Sequence, residues 1–238
     1  MPFRLIIAHD LNDVKIEGCG SRCTLKKMPR AKGRQPASDS RIGYHHGDLR
    51  RALIEAALSL VAERRGADLS IREVARRAGV TYAAPYHHFA DKSALLAAVA
   101  CEGFQGLVSR LERAAARKES LESELQALAE AYIAFAMEQP SHYRVMFLPE
   151  VKASVDSEAL HVLGERAFEL LLERVARARP AAATSAHEVV AVTAWAALHG
   201  LALLVIDGTL QHMFPKPDRM LSKACRTITG MVMDGENA

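Results

Sequence analysis

The stretch VTYAAPYHHFADKSALL, residues 80–96, decides which fold the rest of the chain is expected to adopt. It follows Gly79, which ends a short helical pattern, LSIREVARRAG, at residues 69–79. It carries Pro85, and a helix tolerates proline best in its first turn, where the backbone N–H has no partner. Asp91 then offers an N-cap to a following helix. A helix, a glycine turn and a second short helix indicate a helix-turn-helix arrangement.

The second helix of this arrangement divides its side chains in an informative way. Pro85 and Phe89 are four residues apart, so both can face inward. Ala83 and Ala84 are small, which lets the backbone approach a partner closely. In a helix-turn-helix the second helix enters the major groove of DNA, where a methyl group can contact a thymine methyl. These residues favour a DNA-reading role for the stretch.

Polar side chains around the same helix suit contact with a duplex. Tyr82 and Tyr86 can donate to phosphate oxygens, and His87 and His88 add donors near the groove wall. Lys92 places a positive charge at the start of the next helix, where the helix dipole also favours a phosphate. Adjacent histidines point about 100° apart on a helix, so the pair cannot chelate one metal ion. The alternative, that these are only core or surface residues of a helical bundle, explains their combination less well.

Local signals define the helices before and within this arrangement. Asp48 is the expected N-cap of a first amphipathic helix, and Gly66 its expected C′ residue. Ser70 and Glu73 form the S-x-x-E pattern of a capping box for the second helix. Thr81 is the expected N-cap of the third helix. The front of the chain therefore reads as three helices before Asp91.

The rear half is also predicted to be helical throughout. Helical patterns end at Pro140, Pro149, Pro180 and Gly208, and a last one covers residues 217–233. There is no convincing alternation of apolar and polar residues and no internal repeat. The fold class is therefore all-α, with about nine helices.

Charge is distributed unevenly along the chain. Residues 1–95 hold 17 Lys or Arg against 10 Asp or Glu, whereas the remainder holds 14 against 18. Residues 1–43 mix basic residues with Pro, Gly and Ser, so they are predicted to be a flexible basic extension. A basic front half favours a polyanion as its partner.

Composition also limits the cellular setting. No apolar run approaches the roughly 18 residues that a membrane helix requires, and the first residues lack the pattern of a secretory signal. We expect a cytoplasmic protein that has no membrane partner. The four cysteines are Cys19, Cys23, Cys101 and Cys225, and they lack the spacing of a metal site. We therefore expect free thiols, and neither a metal nor a cofactor.

The segment LSIREVARRAGVTYAAPYHHFADKSALLAAV resembles the DNA-binding domain of the TetR family of bacterial transcriptional regulators. The family pattern Y-x-H-F-x-x-K-x-x-L is matched by Tyr86, His88, Phe89, Lys92 and Leu95. A rear segment, AWAALHGLALLVIDG, is similar to the Trp-x-x-x-His-Gly segment of one TetR subgroup; the matching residues are Trp195, His199 and Gly200.

The resemblance implies a domain division and an activity. A helix-turn-helix DNA-binding domain is expected at residues 44–95, and a helical ligand-binding and dimerisation domain at 96–238. The implied protein is a ligand-responsive regulator, usually a homodimeric repressor that a small organic molecule releases from its operator. By position, the family implies base contacts by Tyr82, Ala83, Ala84 and His87. It implies phosphate contacts by Ser70, Arg72, Thr81, Tyr86, His88 and Lys92.

The resemblance also implies a dimer interface and an effector pocket in the rear half. The expected dimer helices are residues 185–206 and 219–234, and the first has an apolar stripe of Val192, Trp195, His199, Ala202 and Ile206. Bulky residues available to line a pocket are Tyr132, Phe135, Met137, Tyr143, Met146, Phe147, Phe168, Trp195 and His199. The alternative is that they simply fill a core. Few charged residues fall inside the apolar stripes, which favours an apolar or amphipathic effector.

Three other classes of protein compete with this interpretation. An enzyme is not expected, because there is no G-x-S-x-G, no H-E-x-x-H and no phosphate-binding glycine loop, and Trp195, His199 and Asp207 share one apolar helix. A metal or redox sensor has ten histidines and four cysteines available, yet no ligand set with convincing spacing. A non-specific DNA binder, driven by the basic extension, predicts steep salt dependence without sequence preference.

Overall fold

The computed structural model describes residues 46–66, 68–116, 118–152, 158–214 and 217–234. These residues form ten α-helices and one 3₁₀ helix and contain no strand, which confirms the all-α prediction with two short helices more than expected. The helices are α1 (His46–Arg64), α2 (Ile71–Arg77), the 3₁₀ helix (Ala84–His87), α3 (Lys92–Ala115), α4 (Leu121–Glu138), α5 (Pro140–Met146), α6 (Pro149–Lys152), α7 (Glu158–Ala178), α8 (Thr184–Ile206), α9 (Thr209–Met213) and α10 (Pro217–Met233). The predicted basic extension, residues 1–43, lies outside the described residues, as do Cys19 and Cys23.

Helix α2 begins and ends as its sequence predicts. Ser70 Oγ accepts the Glu73 N–H at 3.3 Å, and the Ser70 N–H donates to the Glu73 carboxylate at 2.9 Å, so the capping box is complete. At the other end Gly79 has φ +72°, a left-handed conformation that suits glycine. The Val80 N–H then donates to the carbonyl of Ala75 at 3.0 Å, as in a Schellman motif.

Both predicted ends of α1 are wrong. The helix begins at His46, so Asp48 lies inside its first turn instead of capping it. At the C-terminus the left-handed residue is Arg65, with φ +52°, and Gly66 is the next residue, whose N–H donates to the Val61 carbonyl at 3.3 Å. The C′ position is therefore Arg65, and Gly66 is the C″ residue, whose N–H makes the hydrogen bond that closes the helix.

The second element of the helix-turn-helix is a single 3₁₀ turn. Thr81 is not its N-cap, because the residue at that position is Ala83, which makes no side-chain cap. Pro85 lies in the first turn as expected, and both it and Phe89 are buried. Asp91 caps α3, since its carboxylate accepts the Ala94 N–H at 2.8 Å. The prolyl residue and the phenylalanine thus anchor the turn against the domain core.

Ion pairs connect α1 to α2 across the surface of the front half. Arg64 pairs with Glu73, and Arg77 pairs with Glu63 at 2.6 Å while donating to Ser59 Oγ at 2.5 Å. The hydrogen bond from Arg64, followed by those from Ser70, lowers the pKa of Glu73 from its ordinary 4.5 to about 2. The two helices are therefore held in one orientation by charge as well as by their apolar contact.

Helix α3 runs from the front half into the rear half, and two glycines let other helices approach it. A Cβ at Gly103 would lie 2.7 Å from Met146 Sδ and 3.2 Å from His142 Cβ, both on α5. At Gly106, a Cβ would lie 3.3 Å from the Phe135 ring of α4. Helix α5 also packs against α1, so it contacts both halves of the chain.

The rear half packs α4, α7, α8 and α10 around two apolar clusters. The main core is continuous with that of the front half, running from Leu53 of α1 to Cys225 of α10. A smaller cluster lies between the four rear helices, at Leu125, Val175, Ala191, Ala194 and Val232. The helices around the second cluster include those expected to carry dimerisation.

Two of the helices that the structure describes have the length and apolar composition to span a membrane, contrary to the expectation that no run approaches that size. In α3, 61% of the most apolar 18-residue window is buried inside the fold, so core packing explains its composition. In α8 the corresponding share is 28%. Helix α8 therefore presents an apolar face that the described chain does not cover.

Candidate DNA-binding surface and aromatic cluster

The residues predicted to meet DNA lie at the surface around the helix-turn-helix. The two tyrosine side chains are well exposed: Tyr82 is 68% exposed and Tyr86 57% exposed, although tyrosine is often largely buried. Ser70, Arg72, Thr81, Ala83 and His87 are also at the surface, whereas Ala84, His88 and Lys92 are half-buried. Their positions are compatible with the predicted contacts, which remain predictions.

Two of these predicted contacts are already engaged within the protein. The Ser70 hydroxyl donates to Glu73 Oε2 at 3.0 Å, so its hydrogen is used in the capping box. The Lys92 ammonium lies 3.0 Å from Glu150 Oε2 at the start of α6. Sequence reasoning missed Glu150, because no local signal connects residues so far apart in the chain.

We call the 3₁₀ helix and the residues on either side of it, 81–89, the recognition turn. A cation–π contact with α1 supports it. The Arg50 guanidinium of α1 lies 5.4 Å from the centre of the Phe89 ring. The His88 ring lies 6.5 Å from the same phenylalanine, tilted by 55°. These contacts fix the orientation of the residues that follow the 3₁₀ helix, and a cation–π contact contributes about 0.5–1 kcal/mol at an exposed site.

An aromatic cluster lies in the rear half, where α5 meets α4 and α8. Tyr143 stacks on the His199 ring at 5.4 Å and contacts Tyr132 edge to face at 5.8 Å. Phe147 lies 4.5 Å from His199, and Trp195 lies 6.0 Å from it. We define the aromatic cluster as Tyr132, Tyr143, Phe147, Phe168, Trp195 and His199. All six members were among the predicted pocket residues.

Hydrogen bonds connect the polar atoms of the aromatic cluster in a chain. Trp195 Nε1–H donates to Tyr132 Oη at 3.3 Å, because an indole nitrogen only donates. Tyr132 Oη is 3.0 Å from Tyr143 Oη, and Tyr143 Oη is 2.7 Å from His199 Nδ1. Tyr132 Oη is also 3.1 Å from His199 Nδ1, so Tyr132 can donate either to Tyr143 or to His199 while Tyr143 donates to His199. The aromatic cluster is therefore mostly apolar, with its polar atoms hydrogen-bonded to one another.

Burial keeps the two phenols of this chain protonated. Desolvation raises the pKa of Tyr132 above its ordinary value of 10, and it raises the pKa of Tyr143 further, with the neighbouring Tyr132 adding to the effect. Both hydroxyls consequently remain neutral donors at any physiological pH. A ligand bound here would meet neutral hydrogen-bonding groups.

The remaining predicted pocket residues lie elsewhere. Phe135 is buried against Gly106 of α3, and Met146 is buried against Gly103, so both belong to helix–helix contacts. Met137 is 45% exposed near the end of α4. The structure adds Phe104 of α3, which sequence reasoning missed and which contacts Phe147 edge to face at 5.6 Å. A phenylalanine placed between two glycines, where other helices approach, was the available signal.

An apolar groove runs along the outer face of α8 and α10. Its lining is nearly free of charge; it consists of Ala196, Ala197, Gly200, Leu201, Leu204, Ala224, Thr227 and Ile228. Exposed Val189 and Val192 extend the face along α8. Of the predicted stripe, Val192 and Trp195 lie on the exposed side, whereas Ala202 is fully buried. The predicted stripe therefore lies partly in the interior and partly on the exposed surface of α8, and the groove is lined by other residues of the helix.

The chemistry of the described residues offers little to a metal or redox sensor. No group of three or more His, Cys, Asp or Glu side chains lies together within the part of the chain that the structure describes. Burial raises the pKa of the Cys101 thiol, and it raises the pKa of Cys225 to about 11. A thiol with a raised pKa forms less of the reactive thiolate at neutral pH.

Trp195, His199 and Asp207 do not form a hydrogen-bonded catalytic group on α8. Asp207 caps the C-terminus of α8 and pairs with Arg144 of α5 at 2.5 Å, and the same guanidinium donates to the Ile206 carbonyl at 3.1 Å. His199 instead contacts Tyr132 and Tyr143. The carboxylate therefore joins α5 to α8 and does not orient the imidazole.

A helix-turn-helix with exposed tyrosines, joined by a continuous helix to an all-α rear domain, defines a DNA-binding transcriptional regulator. Residues 53–99 match the family described as bacterial regulatory proteins, tetR family, and residues 125–228 match the tetracyclin repressor-like C-terminal domain. The chain belongs to the TetR family of transcriptional regulators.

Solved structures agree with this assignment. A protein with unknown function from Rhodococcus sp. RHA1 is 30% identical, with a TM-score of 0.65 over 82% of this chain and 98% of that one. The TetR family transcriptional regulator PfmR from Thermus thermophilus is 18% identical, with a TM-score of 0.57 over 78% and 99% of the two chains. The fatty acid degradation regulator FadR from Bacillus halodurans is 14% identical, with a TM-score of 0.59 over 79% and 99%. The last two show the shared fold alone.

Replacing Tyr143 by Phe should destabilise the protein by about 1 kcal/mol, because the hydroxyl of the buried Tyr143 makes two hydrogen bonds and only the one between Tyr132 Oη and His199 Nδ1, 3.1 Å apart, remains without it. Urea unfolding at one fixed protein concentration measures the change. The matched control is Tyr82→Phe, which removes a hydroxyl from an exposed ring and should change stability by less than about 0.5 kcal/mol. Equal stability of the two variants would contradict the hydrogen-bonded chain.

Proposed function

We propose that the protein is a homodimeric, sequence-specific repressor, whose affinity for its operator falls when a small organic molecule binds. The observation that carries the proposal is the recognition turn, where Pro85 and Phe89 are buried while the tyrosines on either side of the proline remain exposed. Such a turn presents its side chains outward from a rigid base. We further propose that the protein acts in the cytoplasm and belongs to the subgroup with the Trp-x-x-x-His-Gly segment.

Two kinds of DNA contact are proposed. Base edges are contacted by Tyr82, Ala83, Ala84 and His87, at the start of the recognition turn, where the helix-turn-helix geometry brings side chains into the major groove. Phosphates are contacted by Ser70, Arg72, Thr81, Tyr86, His88 and Lys92. Contacts to base edges carry sequence information, whereas contacts to phosphates position the protein without selecting a sequence. The two sets therefore respond differently to substitution.

Tyr82→Ala and His87→Ala should each change the ranking of operator sequences, with losses of about 1–3 kcal/mol at the preferred site. Lys92→Ala should weaken binding to all sequences alike. It should also make the slope of log K against log salt concentration shallower by about one for each protomer. Selection of bound duplexes from a random library, followed by competition titrations at fixed salt, measures both effects. A Lys92→Ala protein that binds as tightly as before and prefers another sequence would refute the assignment of roles.

The apolar groove on α8 and α10 supports a homodimer through these helices. Ala196, Ala197 and Gly200 have small side chains, so the α8 helices of two copies can approach closely. Leu204 is 44% exposed at the end of the groove, where a second copy would bury it. Helix α8 packs against α4, α7 and α10 of its own chain, which keeps it within the domain and favours a second copy over a membrane. A two-fold contact would use the same groove on both copies.

Leu204→Glu should convert the dimer to monomers, because a two-fold axis would place two carboxylates in an apolar interface. We expect the dimer dissociation constant to rise at least ~100-fold, which corresponds to about 3 kcal/mol. Analytical ultracentrifugation over a concentration series measures it. The control is Met137→Glu, which introduces the same charge at a residue of similar exposure on α4 and should leave the dimer intact. Unchanged association of the Leu204 variant would exclude this groove as the interface.

The aromatic cluster is the proposed effector site. It combines ring faces with a line of neutral hydrogen-bonding groups, which suits an apolar or amphipathic compound that has one polar atom to place. Helices α4, α5, α7 and α8 all contribute to it, so a compound inserted among the rings must displace at least one of them. Of these helices, α5 also packs against α1 of the DNA-binding domain.

Release of DNA would then follow as a shift between two forms of the dimer. The DNA-bound form holds its recognition turns about one turn of DNA apart, some 34 Å. The effector binds better to a form that has another spacing, and DNA affinity falls accordingly. The shift can be no larger than the difference in the effector's affinity for the two forms.

A panel of apolar and amphipathic aromatic compounds tests the effector site, with release of labelled DNA and a rise in melting temperature as joint readouts. For a compound that gives both, Phe147→Leu should weaken its binding about threefold to tenfold, because a ring contact is replaced by an aliphatic one. Met137→Leu, on the exposed surface of α4, should leave its affinity unchanged. The reverse pattern would place the effector outside the aromatic cluster.

A further inference from the structure

Glu150 contacts the Lys92 ammonium, which the proposed DNA-binding function assigns to a backbone phosphate. Lys92 is the first residue of α3, and its ammonium lies 3.0 Å from the carboxylate of Glu150 on α6. The two side chains are 31% and 46% exposed, so solvent screens the pair only in part. A phosphate that approaches this ammonium meets a carboxylate already in contact with it.

The backbone on both sides of Glu150 is fixed. Val151, the next residue, is completely buried in the main core, and its N–H donates to the Leu148 carbonyl at 3.2 Å. The Leu148 N–H donates in turn to the carbonyl of Val145, at the end of α5, at 3.2 Å. Helix α6 also packs against α3. Glu150 cannot leave Lys92 by a backbone movement unless Val151 is withdrawn from the core.

We propose that Glu150 lowers the affinity of the protein for DNA by competing with a backbone phosphate for the Lys92 ammonium. The proposal rests on the proposed DNA-binding function, and within it Glu150 is a positioning residue that acts through the lysine. Its own negative charge also repels phosphates, so both effects weaken DNA binding. The chain runs directly from Phe147 of the aromatic cluster to Glu150, so displacement of α5 also displaces this carboxylate.

Glu150→Gln tests the proposal, because the amide preserves size and removes the charge. Two probes are used: a duplex enriched from a random library by the wild-type protein, and a scrambled duplex of equal length. Fluorescence anisotropy over a series of salt concentrations gives affinity and salt slope. We expect binding to both duplexes to tighten about twofold to fivefold. The slope of log K against log salt concentration should steepen by less than one for each protomer, because Lys92 already makes part of a phosphate contact in the wild type. The effect is equal on both probes because phosphate contacts carry no sequence information.

Two further variants separate this effect from a general change of charge. Glu138→Gln removes the same charge and breaks an ion pair with Arg110, which lies about 27 Å along α3 from Lys92. It should tighten binding by clearly less than Glu150→Gln does. In a Lys92→Ala background, Glu150→Gln should change the salt slope by clearly less than it does in the wild type, because only the direct repulsion between Glu150 and phosphates remains.

The outcomes distinguish failure of this inference from failure of the proposed function. If Lys92→Ala weakens binding while Glu150→Gln behaves like Glu138→Gln, Glu150 has no such role and the DNA-binding assignment stands. If Lys92→Ala binds as tightly as the wild type, the phosphate contact at Lys92 is wrong, and the inference is overturned with it. Failure of the wild type to bind either duplex would overturn both.

Discussion

At Gly103 the backbones of α3 and α5 approach so closely that a Cβ there would lie 2.7 Å from the Met146 sulfur and 3.2 Å from His142 Cβ. The rest of the structure depends on this contact, because α3 is the one described helix that runs from the DNA-binding half into the rear half. With α5 held there, Tyr143 and Phe147 reach the rings of α8, and the chain continues into α6 beside the start of α3.

Helix α5 consequently connects the two sites. Its side chains enter the aromatic cluster, its Arg144 pairs with Asp207 at the end of α8, and its body packs against α1. The short segment after it delivers Glu150 to Lys92. In the proposed mechanism, an effector at the aromatic cluster acts on DNA binding through this single seven-residue helix and its continuation. The route is short because both sites lie against the same helix.

Helix α8 shows why an apolar composition does not identify an environment. Its inner face contributes Ala191, Ala194 and Ala202 to the interior, and its outer face lines a groove with Ala197 and Leu204. A helix that is apolar all round must be buried on all sides, yet the described chain covers only part of it. The helix-turn-helix domain offers the opposite case, where exposed aromatic rings belong to a surface suited to a polar partner.

Elements with local causes could be predicted from the amino-acid sequence. A serine and a glutamate three residues apart cap α2, an aspartate caps α3, and Gly79 adopts the positive φ of the turn, because each acts on backbone groups within a few residues. The aromatic residues of the rear half could also be named as candidates for a pocket, but their contacts with one another could not be predicted. Helix packing brings Phe104 against Phe147 of the aromatic cluster, leaves Met137 outside it, and pairs Lys92 with Glu150. Those outcomes depend on how closely α3, α4 and α5 approach one another, which is a property of helix packing and not of any single helix.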